Sequence, residues 1–247
     1  MATVPFKTTD THAFNLDLNN LVEEAFERCG QELRSGYDMR TARRSLNLMT
    51  MEWANRGINM WTVEQGQITL VYTSPNPTIT YDLPVDTVDL LDHVIRTGTY
   101  QNQTDINITR ISESTYAMIP NKNAVGRPIQ VWIQRRSGAT DSAGVAVPPR
   151  IHVWPTPDNS QTYTFVYWRL RRIQDAGNGI NGQDVPFRFM PCMVAGLAFH
   201  LSMKLPGVDP GRITMLKSEY NEQWELAASE DREKASDRFV PRQQFIG

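Results

Sequence analysis

Residues 177–182, Gly-Asn-Gly-Ile-Asn-Gly, spell G-x-G-x-x-G, the spacing at which a strand-to-helix turn lays backbone N–H groups against a dinucleotide pyrophosphate. That chemistry also needs a helix starting at the last glycine and a parallel strand after it. Here Gln183-Asp184-Val185-Pro186 intervenes and a second helical pattern follows the first, so the segment reads as a linker. Ser142, in Thr140-Asp141-Ser142-Ala143-Gly144, misses the G-x-S-x-G nucleophile elbow by its first glycine and reads as a loop serine. His12, His93, His152 and His200 include no two at metal-ligand spacing, and His200, on an apolar helix, reads as a hydrogen-bonded core or interface residue. Neither a phosphate-binding G-x-x-x-x-G-K-[ST] loop nor H-E-x-x-H occurs. No catalytic residue, metal or cofactor is assigned.

Two carboxylate groups stand at helical spacing, Glu23, Glu24 and Glu27 near the start and Glu219, Glu222 and Glu225 near the end. A two-carboxylate hydrolase draws its acids from separate elements into one cleft, so single-helix clusters read as solvated or subunit-facing surfaces. A cell-wall hydrolase is the weakest of the functions considered. Arg135-Arg136 and Arg169, Arg171-Arg172 alternate with aromatic residues on strands, a pattern that suits single-stranded nucleic acid and makes a nucleic-acid-binding β-domain protein the alternative function. Edge-strand charges that block aggregation explain the same pattern.

The elements that must position these groups belong to a chain of 247 residues, 40% hydrophobic and 21% charged, with 15 Gly and 15 Pro. Those values exclude collagen-like and largely disordered classes. Lys and Arg total 25 against 27 Asp and Glu, a net charge of −2, so no global attraction drives the chain onto nucleic acid or an anionic membrane. Cys29 and Cys192 sit in apolar helical patterns and read as reduced core residues. The start, MATVPFKTTDTHAF, has no apolar run of a secretory signal, and no 18 apolar residues are consecutive, so neither secretion nor a membrane span is expected.

Asn15 or Asp17 caps a helix on which Leu18, Leu21, Val22, Ala25, Phe26 and Cys29 recur until Gly30. A second helix runs from Asp38 to Asn55, with Met39, Ala42, Leu46, Met49 and Trp53 on one stripe and Arg40, Arg43, Arg44 and Asn47 off it. The short QELRSGYD loop predicts that the two form an antiparallel pair. From Trp61 the period becomes two: Trp61 and Val63, then Ile68, Leu70 and Tyr72, alternate around Gly66 and predict a hairpin. Ile79, Tyr81 and Leu83 alternate next, 86–96 fits helix and strand equally, and further strands are expected over 129–134, 150–154 and 163–173. Helical character returns from Met190 to Leu201, apolar nearly all round, and again after the Asp209 cap with Ile213, Leu216, Tyr220 and Trp224. The expected fold class is α+β: a helical bundle built from the N-terminal and C-terminal helix pairs, with an inserted antiparallel β domain, sandwich- or barrel-like. Its segments are 1–60, the N-terminal pair; 61–176, the β domain; 177–230, the C-terminal pair; and 231–247, a charged extended tail.

The helix ARRSLNLMTMEWANRGINMW, Ala42 to Trp61, running into VEQGQITL and then YDLPVD, resembles the head-to-tail adaptors (tail tubular protein A-like) of short-tailed bacteriophages. VPFRFMPCMVAGLAFHLSMKLPG and the charged helix containing EYNEQWELAASEDRE are similar to that family's C-terminal helix pair. The resemblance implies a virion structural protein of the tail and neck, made in the host cytoplasm, non-enzymatic, and assembled as a twelvefold homo-oligomeric ring. Its implied partners are the portal protein above, the tail nozzle protein below, tail fibres, and double-stranded DNA that passes weakly held during genome ejection. No membrane partner is implied. The family's portal-docking tail maps onto Arg238, Phe239, Val240, Pro241, Arg242, Phe245 and Ile246. Ring contacts between subunits are expected on the charged helical faces, at Arg40, Arg43 and Arg44 and at Glu219, Glu222 and Glu225.

Overall fold

The structure, a computed structural model, describes residues 16–34, 36–57, 60–74, 78–136, 140–175, 177 and 182–231, and these form a mixed α+β protein. The chain divides into two compact units, one drawn from 1–60 and 175–247 and the other from 61–174.

In the first unit, α1 (Leu18–Cys29) starts where the Asp17 side chain accepts from Asn20 N at 2.8 Å, and it stops at Gly30, which adopts a left-handed φ of 74°. α2 spans Gly36–Asn55. α4 (Met190–Ser202) follows a 3₁₀ turn at Phe187–Phe189, and α5 (Pro210–Glu230) is capped by Asp209, whose carboxylate accepts from Arg212 N at 3.2 Å. α4 is buried on nearly every side because α1, α2 and α5 all pack against it. Both members of the expected α1–α2 pair pack on α4, whose all-round apolar surface offers each a face to bury. α2 contributes the fully buried Leu46, Met49 and Trp53, each worth about 2 kcal/mol of transfer free energy. Gly196 lets α2 and α5 close on α4, since a Cβ there would stand 2.5 Å from Met49 Sδ and 2.8 Å from the Tyr220 ring.

The second unit holds β1 (Val63–Leu70), β2 (Thr80–Asp82), β3 (Thr87–Thr97), β4 (Thr104–Asn107), β5 (Thr109–Ile111), α3 (Glu113–Ala117), β6 (Gln130–Gln134), β7 (Arg150–Trp154) and β8 (Tyr163–Arg171). Two four-stranded sheets, ordered β1-β8-β3-β4 and β2-β7-β6-β5, share one core that includes Leu70, Leu90, Ile95 and Phe165 from the first and Val131, Ile133, Ile151 and Val153 from the second. Neither sheet closes into a barrel, so of the sandwich- or barrel-like expectation the barrel form is corrected to two open sheets over one core, and the expected antiparallel pairing is corrected at β5, which pairs with β6 in parallel. The 86–96 segment falls on strand β3: Val88 and Leu91, which give it a helix-like stripe, are exposed, and the core takes Leu90 and Ile95 from a strand with register shifts between Thr87 and Asp89 and between Leu90 and Asp92. β4, β5 and α3 fill the 98–128 stretch, for which no element was expected.

The predicted hairpin around Gly66 is absent: β1 runs straight through it. Gly66 faces Tyr167 across the β1–β8 pair, and the Tyr167 ring covers the glycine so closely that a Cβ would lie 2.5 Å from it. The same sheet face continues to Glu64 opposite Arg169.

Candidate subunit interface

α2 buries Ala42, Leu46, Met49 and Trp53, and Trp53 Nε1 donates to Tyr220 Oη at 3.0 Å, which fixes how the helix is turned. Tyr37, Arg40, Arg44, Leu48 and Met51 consequently fall on the solvent stripe, with Arg43 and Asn47 beside it. Tyr37, Leu48 and Met51 are each more than 60% exposed. An open hollow of about 510 Å³ lies among Tyr37, Arg40, Arg43, Arg44 and Asn47. No carboxylate among the described residues pairs with any of the three arginines; the only side-chain bond from them runs from Arg44 Nη2 to Thr41 Oγ1 of the same helix, at 3.4 Å. The structure therefore brings Arg40, Arg43 and Arg44 together.

It does not do so for Glu219, Glu222 and Glu225. Glu219 accepts from Arg28 Nη1 at 2.6 Å, and Arg28 also donates to Glu24 Oε1 at 2.9 Å, so this carboxylate ties α5 to α1 inside one chain. Glu222 and Glu225 are exposed on α5. A second hollow, of about 430 Å³, lies between α1 and the start of α4, lined by Leu16, Asn20, Glu23, Glu24, Glu27, Arg28, Met190, Pro191 and Val194. Glu23 and Glu27 are exposed there and make no ion pair among the described residues, while Arg28, which lines the same hollow, is held by Glu24 and Glu219. The exposed apolar residues Leu48 and Met51, which sequence reasoning overlooked, were visible only as two large apolar residues off the Met39–Trp53 stripe.

The other residues considered for chemistry take structural places. Asp141 Oδ1 accepts from Ala143 N and Val145 N, both at 2.9 Å, so Ser142 sits in an Asp-capped turn. Of the G-x-G-x-x-G segment only Gly177 and Gly182 are described, and Gly182 bridges to Asp17. The arginine runs on strands are tied to carboxylates: Arg169, only 11% exposed, reaches Asp86 at 2.5 Å and Glu64 at 2.8 Å, Arg171 reaches Glu64 at 2.7 Å, and Arg135 pairs with Asp89. That network leaves few strand cations to meet a phosphate.

Cys29 and Cys192 are free and buried, and burial pushes their thiols up to about 11 and about 12, which makes both unreactive. His200 Nε2 lies 3.7 Å from Glu52 Oε2, beyond hydrogen-bond distance, and burial lowers its pKa. His93 stacks on Phe165 with centroids 5.7 Å apart, and burial lowers its pKa as well. His152 stacks on Trp132 at 4.3 Å beside Tyr116; burial first, then the charges of Arg150 and Arg136, hold it down at about 4. Among the described residues no group of three His, Cys, Asp or Glu is placed to hold a metal, and no helix is long and apolar enough to cross a membrane. His12 and the expected portal-docking residues Arg238, Phe239, Val240, Pro241, Arg242, Phe245 and Ile246 lie outside the described residues.

No protein-family model matches this chain, and comparison with curated proteins finds no relative.

Proposed function

We propose that this protein is a non-enzymatic virion subunit, a head-to-tail adaptor that forms a ring between portal and tail nozzle and lines the channel through which DNA leaves. In this reading the helices of 1–60 and 177–230 make one bundle, 61–176 is a β domain inserted in it, and 231–247 docks into the portal. The resemblance of Ala42 to Asp86 and of Val185 to Glu233 to phage adaptors supplies the family.

One observation of the folded chain supports an assembling subunit. Arg40 and Arg44 are like charges one helical turn apart, as are Glu23 and Glu27, and such pairs destabilise a helix by roughly 0.2–0.5 kcal/mol each when nothing opposes them. A chain that keeps both pairs exposed and unneutralised gains from a partner that brings the opposite charge. A net charge of −2 agrees with a ring held by protein contacts around a polymer that must slide.

Mass measurement of the purified chain with and without portal tests the reading. The expected result is a monomer or weak oligomer alone and a closed ring on portal, with docking abolished by deleting 231–247. A chain that ignores portal and binds duplex or single-stranded DNA with steep salt dependence overturns it, as does release of peptidoglycan fragments.

A further inference from the structure

We infer that the hollow between α1 and the start of α4 receives the arginine face of α2 from a second copy of this chain, so that subunits join head to tail through unlike surfaces. The inference deepens the adaptor reading by replacing the α5 carboxylates with a different acceptor, and as a ring contact it rests on that reading.

Charge and spacing select the α1 carboxylates. Arg40 and Arg44 are four residues apart on one stripe and so are Glu23 and Glu27, which places each pair about 6 Å apart along its helix axis and lets both arginines meet both glutamates at once. On α5 Glu219 is already neutralised by Arg28, which leaves Glu222 and Glu225 at a spacing of three that does not match the spacing of four between Arg40 and Arg44. Apolar surface selects the same place. The α1–α4 hollow mixes its carboxylates with Leu16, Pro191, Met190 and Val194, its one lining cation, Arg28, is already neutralised by Glu24 and Glu219, and the α2 face sets the exposed Leu48 and Met51 directly after Arg44. The two surfaces use disjoint residues of the same chain, the condition for a head-to-tail contact that closes into a ring or extends as a filament.

The test is charge exchange read by sedimentation in low salt. Wild-type chain should associate beyond a dimer, and more weakly as salt rises. Arg40→Glu with Arg44→Glu, and separately Glu23→Lys with Glu27→Lys, should each weaken association at least about tenfold, with unchanged thermal melting because every residue altered is on the surface. An equimolar mixture of the two reversed chains should associate again, each contact being native or fully reversed. Glu222→Lys with Glu225→Lys should neither weaken the wild type nor restore the arginine-reversed chain. Wild type that stays monomeric at every concentration, or stops at a dimer, overturns the inference. Rescue by the α5 variant instead of the α1 variant also overturns it. So does duplex DNA binding that the arginine reversal abolishes in a chain that does not associate, since the face would then serve phosphate. Rings on portal that tolerate both reversals sink this pairing and leave the adaptor reading standing. Restored pairing by chains that ignore portal does the opposite.

Discussion

At the scale of single residues, the histidines set the acid response. His152 is held at about 4 in the fold against an ordinary 6.5, so between those values the unfolded chain takes up a proton that the folded chain refuses. Stability contributed by the neutral ring is complete above pH 6.5 and is lost as pH falls toward 4; His93 and His200, both lowered by burial, act in the same direction. The carboxylates lowered by arginine partners, Asp82 and Asp105, keep their contribution until below their ordinary 3.8, so they leave this window to the histidines. His152→Phe, which keeps a ring on Trp132 and removes the titration, should flatten the fall in melting temperature from pH 7.5 to 4.5, retaining about 1–2 kcal/mol at the acid end after allowance for the ring's partial hydration. An unchanged pH profile in the variant would show that His152 is not the group responsible. None of this was legible in the sequence, where His152 is one scattered histidine. Its surroundings come from Trp132 and Tyr116, which only sheet pairing and α3 bring to it, together with Arg150 two residues before it on β7. The strand arginines teach the same lesson: Arg169 and Arg171 read as nucleic-acid contacts until Glu64, more than 100 residues away, is seen to face them.

At the scale of elements, helix ends were legible because their causes are local. Asp17, Gly30, Asp209 and Pro210 each lie within a few residues of the terminus they set. The course of β1 was not, because Gly66 between two glutamines carries a local turn signal and the reason for a strand there is Tyr167, about 100 residues on. Close packing at a glycine offers a test in the helical unit. Gly196→Ala adds helix propensity worth about 1 kcal/mol but drives a methyl into Met49 Sδ and the Tyr220 ring, and overpacking of that kind costs ~1–3 kcal/mol. Overpacking should win by about 1 kcal/mol in urea unfolding, since Tyr220 is pinned by Trp53 and cannot swing away. A more stable variant would mean that Met49 alone absorbs the methyl. Trp53→Phe, which leaves the Tyr220 hydroxyl buried without its donor, should cost ~1–3 kcal/mol by the same measurement, and a loss below about 0.5 kcal/mol would show that the hydroxyl finds water instead.

At the scale of the whole molecule, the two units make a prediction about independence. The β unit begins at β1 and ends at β8, and these are paired neighbours with Val63 opposite Leu170, so the chain enters and leaves it on adjacent strands. Paired strands lie about 5 Å apart, so closing that gap costs the rest of the chain little loop entropy. The β unit also has its own core, from Leu70 through Phe165 to Val153, and its own Glu64–Arg169–Asp86 network. Residues 61–174 expressed alone should therefore fold, with a strand-dominated circular dichroism spectrum and a cooperative melt. Replacing 61–174 by a short Gly-Ser linker should leave α1, α2, α4 and α5 folded, because their core residues lie in 18–53 and 189–227. In the intact chain at pH 4.5, Gly196→Ala should lower one calorimetric transition while His152→Phe raises the other. If 61–174 stays unfolded by itself, or if both perturbations move a single shared transition, the two units fold as one and the β domain is not an insertion that the helices can do without.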